Sequence, residues 1–122
     1  MATEVEEEKL DLITALSGSG PAYIYYIAEI MKNAAVELGL EEELAESMVT
    51  QTIAGASAML SESGLEAGEL RRNVTSAGGT TEAGISKLEH HQVRDAFFQC
   101  ITSAKDRSLV LGRELKKQSL KK

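Results

Sequence analysis

Two short glycine-bearing stretches are where residue type and spacing in this chain could do chemistry. Ser76-Ala77-Gly78-Gly79-Thr80-Thr81 runs straight into a segment of helical period. The first amides of a helix have no carbonyl one turn back, and glycines let a ligand approach them. Such a segment is a ready seat for a small anion such as a carboxylate. Thr80 and Thr81 add hydroxyls that donate or accept. The plainer alternative is that Thr80 or Thr81 caps the helix and the glycines are a flexible link; the residues alone leave both open. Ser17-Gly18-Ser19-Gly20-Pro21-Ala22-Tyr23 follows the apolar run Leu12 to Leu16 and superficially resembles the glycine turn that opens a dinucleotide fold. Tyr23 stands where the third glycine belongs, no second strand follows, and no acidic residue at a strand end lies about 20 residues on. A dinucleotide turn is therefore excluded, and a break between two helices is expected.

The remaining reactive side chains point to packing. His90 and His91 are adjacent, so on a helix they diverge by about 100° and cannot grip one ion as an i, i+4 pair would. No metal site is expected, and the pair should end one helix and turn toward the next. Tyr23, Tyr25 and Tyr26 could stack a base, but the chain carries a net charge of −6 and no basic groove beside them. Core or interface packing is expected for them, and a nucleic-acid partner is not. Acidic residues gather early (Glu4, Glu6, Glu7, Glu8) and lysines late (Lys116, Lys117, Lys121, Lys122), the latter suiting a solvated helix C-terminus. Cys100 is the one cysteine, so no intrachain disulfide is available. No segment has the length of a membrane span or the layout of a signal peptide. A cytoplasmic protein is expected.

The elements that must position these loops are helices. With 43% hydrophobic residues, 4% aromatics, no Trp and one Pro, the apolar mass is aliphatic and breakers are few. Leu10, Leu12, Ile13 and Leu16 make a short helix or extended entry ending at Ser17–Gly20. Pro21 suits a first helical turn, and Tyr23, Ile27, Ile30, Ala34 and Leu38 carry that helix over 21–38. Gly39 fits the left-handed position after its end. Glu41, Glu42 and Glu43 favour the start of the next helix, which should reach about Ser63. Ala54-Gly55-Ala56-Ser57-Ala58 at its middle marks close approach by another backbone. A short helix over 66–72 precedes the unpatterned polar stretch 73–81, and another helix spans about 81–90.

From Gln92 onward Val93, Phe97, Cys100, Ala104, Ser108, Leu111 and Leu115 step by threes and fours. About 28 residues at 1.5 Å each give a rod of roughly 40 Å, whereas a compact chain of this size has a radius of gyration of only about 14 Å. Its apolar stripe needs a second chain, and a symmetric homodimer supplies one most simply. The expected fold is all-α: a single helical bundle domain over 1–122 with a long C-terminal helix, interlocked as a homodimer.

Leu16-Ser17-Gly18-Ser19-Gly20-Pro21-Ala22-Tyr23, followed at the right distance by Arg71-Arg72-Asn73-Val74-Thr75-Ser76-Ala77-Gly78-Gly79-Thr80-Thr81-Glu82-Ala83-Gly84-Ile85, resembles the motif pair of pyrroline-5-carboxylate reductases. The similarity runs from about Val5 to Lys116. That family reduces Δ1-pyrroline-5-carboxylate to L-proline with NADPH or NADH, using a dinucleotide-binding domain followed by a helical domain that interlocks with its twin. The resemblance implies that this chain is the second domain, without the first. It further implies that Ser76, Gly78, Gly79, Thr80 and Thr81 hold the substrate, with amides of Ser76, Gly79 and Thr80 on its carboxylate. The Thr81 hydroxyl would meet the ring nitrogen as the catalytic contact. Ser19, Gly20, Pro21, Asn73 and Val74 would lie near the nicotinamide.

Two departures carry consequences. Ala77 stands where the family usually has proline, which adds about 0.4–1 kcal/mol of unfolded-chain entropy if the loop keeps its shape. Without a dinucleotide domain, no nicotinamide cofactor is expected to bind this chain tightly, and hydride transfer by the chain alone is not expected. The partners expected are a second copy and a small cyclic amino acid. A stand-alone, non-enzymatic dimerisation or metabolite-binding module is the alternative. The helical domain of another nicotinamide-dependent dehydrogenase fits the paired motifs less well.

Overall fold

Scarce breakers and runs of Ala, Leu and Glu make helix the default conformation, and helix is what forms. The computed structural model describes residues 4–120. Among them run α1 (Glu4–Ile13), a π-helical turn (Thr14–Gly18), α2 (Gly20–Glu37), α3 (Glu42–Glu62), α4 (Ala67–Asn73), α5 (Thr80–His90) and α6 (Val93–Leu120), with no strand. The all-α expectation holds, and α6 has the 28 residues read from its stripe. Of the tail lysines, Lys121 and Lys122 lie outside the described residues.

The chain forms two compact units, residues 1–23 with 92–122, and residues 24–91. In the first, α1 and the π turn pack against α6. The Ser108 hydroxyl donates to Asp11 Oδ1 at 2.8 Å, and Lys116 Nζ meets Glu7 Oε1 at 3.1 Å. The pairing of 11 with 108 and of 7 with 116 makes α1 and α6 antiparallel. Lys116, expected to be simply solvated, is thus tied to the acidic start of α1, although an exposed pair of this kind contributes little.

The break expected at Ser17–Gly20 is not a loop, and this corrects the sequence expectation. The Ser19 amide donates to Thr14 O at 3.1 Å, five residues back, and Ser19 itself is right-handed at φ −90°. The Thr14 and Ser17 hydroxyls bond back to the carbonyls of Leu10 and Ile13. Neither Gly18 nor Gly20 takes a positive φ, so nothing drives the chain out of helical geometry. The widened turn absorbs one extra residue, as π bulges do, and buries Ala15 fully. Pro21 then falls in the first turn of α2, where its missing N–H costs nothing.

In the second unit, α2 ends as expected. Gly39 is left-handed at φ +114°, the Leu40 amide reaches Ala35 O at 2.9 Å and the Gly39 amide reaches Val36 O at 3.0 Å. This is the paired bonding of a Schellman end. Lys32 Nζ crosses the turn to Glu42 Oε1 at 3.1 Å; that hydrogen bond first, and then the charge of Glu42, raise the lysine above its usual 10.5. Ala45 and Val49, one turn apart on α3, are buried, and α4 packs back on α3 after left-handed Gly64.

The buried apolar side chains among the described residues are those of Ala15, Ala45 and Val49, none of them large. On α6, Phe98 is 72% exposed, and Leu111 and Leu115 are exposed as well. On α2, Ile24, Tyr25, Tyr26, Ile30 and Met31 are exposed, so of the three tyrosines expected to pack in a core or an interface Tyr23 is half-buried and Tyr25 and Tyr26 are not covered by their own chain. Gly55, in the small-residue run of α3, faces open space. Helix faces this apolar remain wet unless another chain covers them.

Candidate functional site

Helix α4 ends in Arg71, Arg72 and Asn73 because the chain folds back on its own carbonyls. The Thr75 hydroxyl donates to Arg71 O at 2.5 Å, the Val74 amide to the same oxygen at 3.3 Å, and the Thr75 amide to Arg72 O at 3.1 Å. A turn follows in which the Gly79 amide donates to Ser76 O at 3.0 Å. Its third residue, Gly78, sits at φ +74°, a conformation that costs an L-residue about 1–2 kcal/mol. Gly79 returns to extended backbone (φ −88°, ψ 178°) as the N-cap, and α5 starts at Thr80. The first bond of that helix runs from the Ala83 amide to Gly79 O at 3.2 Å.

The cap is therefore backbone alone. Neither Thr80 nor Thr81 caps the helix with its hydroxyl, and no side chain does so at Gly79. The threonines already belong to the helix, one residue earlier than expected for its start, which leaves both hydroxyls unused by the cap. The amides of Thr80 and Thr81 precede the first internal bond and keep their donors for an outside acceptor. Thr80 and Ser76 are exposed, while Thr81 is half-buried on the same helical face as half-buried Ile85.

Gly79 sits where an added side chain would be crowded. A Cβ there would lie 2.6 Å from Ser76 Oγ and 3.2 Å from Ser76 O. Gly78 is required for conformation, since a Cβ there would meet nothing within 4 Å. Sequence reasoning missed a further member of the loop: the Glu82 carboxylate turns back and accepts the Gly78 amide at 3.2 Å. The spacing of Glu82, three residues into the helix, is that of a capping box, and this was the signal available.

Ser76, Gly78, Gly79, Thr80 and Thr81 thus come together in one continuous turn, with Asn73 and exposed Val74 at its entrance. Ser19, Gly20 and Pro21 lie at the junction of the π turn and α2, in the other compact unit. His90 closes α5 and His91 caps it, their rings edge to face at 5.1 Å. No group of metal-ligating side chains occurs among the described residues. No helix among them is long and apolar enough to cross a membrane.

Residues 7–111 match the family model described as pyrroline-5-carboxylate reductase dimerisation. The chain belongs to that family. It is 47% identical over 107 residues to pyrroline-5-carboxylate reductase 2 of Bacillus subtilis, an alignment covering 88% of this chain and 38% of the relative. Among solved structures, the Coxiella burnetii pyrroline-5-carboxylate reductase superposes with a TM-score of 0.83 at 42% identity, covering 91% of this chain and 40% of the other. A Plasmodium falciparum pyrroline carboxylate reductase, solved with NADP bound, gives 0.81 at 35% identity over 84% of this chain and 41% of the other. The chain spans about two fifths of the length of the curated relatives it matches.

Proposed function

We propose that this chain is the dimerising, substrate-holding part of a pyrroline-5-carboxylate reductase of proline biosynthesis, acting as a homodimer in the cytoplasm. The observation that carries the proposal is the glycine turn feeding unpaired amides into the start of α5 within a chain of this family. The Ser76 and Thr80 amides take the substrate carboxylate; the Gly79 amide, expected to join them, is instead spent on Ser76 O, and Gly78 and Gly79 keep the approach open. The Thr81 hydroxyl hydrogen-bonds the ring nitrogen. A protonated cyclic imine is already electrophilic at carbon, so the protein's main work is orientation; the nitrogen keeps its proton while the carbon gains a hydride.

A nicotinamide cofactor, NADPH or NADH, supplies that hydride when bound. The described residues hold no strand, hence no sheet crevice for its phosphates. The Asn73-Val74 exit of α4, at the entrance of the turn, offers neutral groups that suit its uncharged carboxamide ring.

Titration of the isotope-labelled chain with L-proline, followed by nuclear magnetic resonance, tests the assignment. Amides of Ser76, Gly79 and Thr80 shift at millimolar ligand. Gly79→Val abolishes the response, and Thr81→Val spares the carboxylate contact while removing that to nitrogen. Shifts confined to other parts of the chain would refute it.

A further inference from the structure

We infer that Glu82 is a positioning residue of the substrate loop that also sets its preference between zwitterionic and purely anionic ligands; this rests on the function proposed above. Two features of Glu82 act in opposite directions. Its carboxylate accepts the Gly78 amide at 3.2 Å, and Gly78 is the left-handed residue on which the turn depends. The acceptor thus holds the turn that exposes the neighbouring amides. Its charge does the reverse. It occupies the first turn of α5, the place where a helix start favours negative charge and where an incoming carboxylate must also arrive. A ligand carrying only a carboxylate meets that charge unrelieved. A cyclic amino acid, with a cationic nitrogen beside its carboxylate, is net neutral and meets far less of it.

Shape and charge are separable because glutamine keeps the accepting oxygen and loses the charge, whereas alanine loses both. The probes are L-proline and cyclopentanecarboxylate, two five-membered rings that differ in the cationic nitrogen. Amide shifts of Thr80 and Thr81 are followed at constant ionic strength. Glu82→Gln tightens cyclopentanecarboxylate by about threefold, the size expected of one charge at several ångströms in water-rich surroundings, and leaves L-proline within about 1.5-fold. Glu82→Ala binds both probes more weakly than Glu82→Gln does, because the turn has lost its acceptor. A purely structural residue would not shift the ratio between the probes. Identical affinities in wild type, Glu82→Gln and Glu82→Ala, with Thr80 and Thr81 responding in each, would overturn the role of Glu82 and leave the site standing. Failure of those amides to respond to either probe in wild type would overturn the site and this inference together.

Discussion

Gly78 and Gly79 are adjacent yet should answer alanine substitution differently. At Gly78 the added methyl has room, but φ is +74°. The left-handed penalty of about 1–2 kcal/mol exceeds the roughly 0.4–1 kcal/mol that alanine returns by stiffening the unfolded chain. Gly78→Ala should therefore lose about 1 kcal/mol per chain. At Gly79 the backbone is one any residue adopts, and the obstacle is Ser76 Oγ at 2.6 Å, the free end of a side chain that can rotate away. The Ser76 carbonyl at 3.2 Å must yield by a few tenths of an ångström. Entropy gain and crowding then roughly cancel, and Gly79→Ala should stay within about 0.5 kcal/mol of wild type. The assay is urea unfolding at one fixed protein concentration, where a slope of about 1.5 kcal/mol/M per chain turns 1 kcal/mol into a midpoint shift of roughly 0.7 M. A Gly78→Ala midpoint equal to wild type, with Gly79→Ala down by more than 0.7 M, would show the turn to be built differently.

Three further outcomes follow from the same geometry. Glutamate placed at half-buried Ala104 on α6, or at Ala56 in the small-residue run of α3, should impair dimerisation; a monodisperse, well-folded wild-type monomer by light scattering at micromolar concentration contradicts the expected interface. The purified 122-residue chain should oxidise no NADPH with the imine substrate, because its described helices give the phosphates no crevice, and turnover free of contaminating reductase would disprove this. Gln92, at φ +57° between α5 and α6, is the one non-glycine among the described residues with positive φ; Gln92→Gly should raise stability by about 0.5 kcal/mol and Gln92→Val lower it by about 1 kcal/mol or more in the same urea assay.

Helix positions were legible because their signals are local. Gly39 announces the end of α2, Glu42 and Glu43 the start of α3, and the stripe from Val93 to Leu115 the length of α6. The π turn was illegible for an equally physical reason. Ser17-Gly18-Ser19-Gly20 has the composition of a loop, and what keeps it helical is packing of the π turn, with Ala15 buried, against α6, a helix far away in sequence. In the candidate site, the donors of the turn were readable from glycines ahead of a helix. The sharing of roles between them was not. That Gly79 lies in crowded space, Gly78 is needed for conformation and Glu82 serves as an acceptor depends on dihedral angles and reach, and residue type alone does not encode these.

The loop and the assembly are held by different forces, and this decides how damage to each should spread. Thr75 on Arg71, Gly79 on Ser76 and Gly78 on Glu82 are bonds between residues three or four apart, so the turn is fixed by its immediate neighbours. Helix α5 comes into close backbone contact with no other helix of its unit. The long faces of α2 and α6 have no such local support; their apolar side chains remain exposed until something outside the chain covers them. A substitution in the turn should therefore alter ligand response while the association constant of the chain stays unchanged. A substitution on the α6 face should weaken association first and reach the turn only through the stability of the whole. Measuring both quantities on Gly79→Val and Ala104→Glu would reveal this crossed pattern, and a parallel fall of both in each variant would mean that the turn is not locally held.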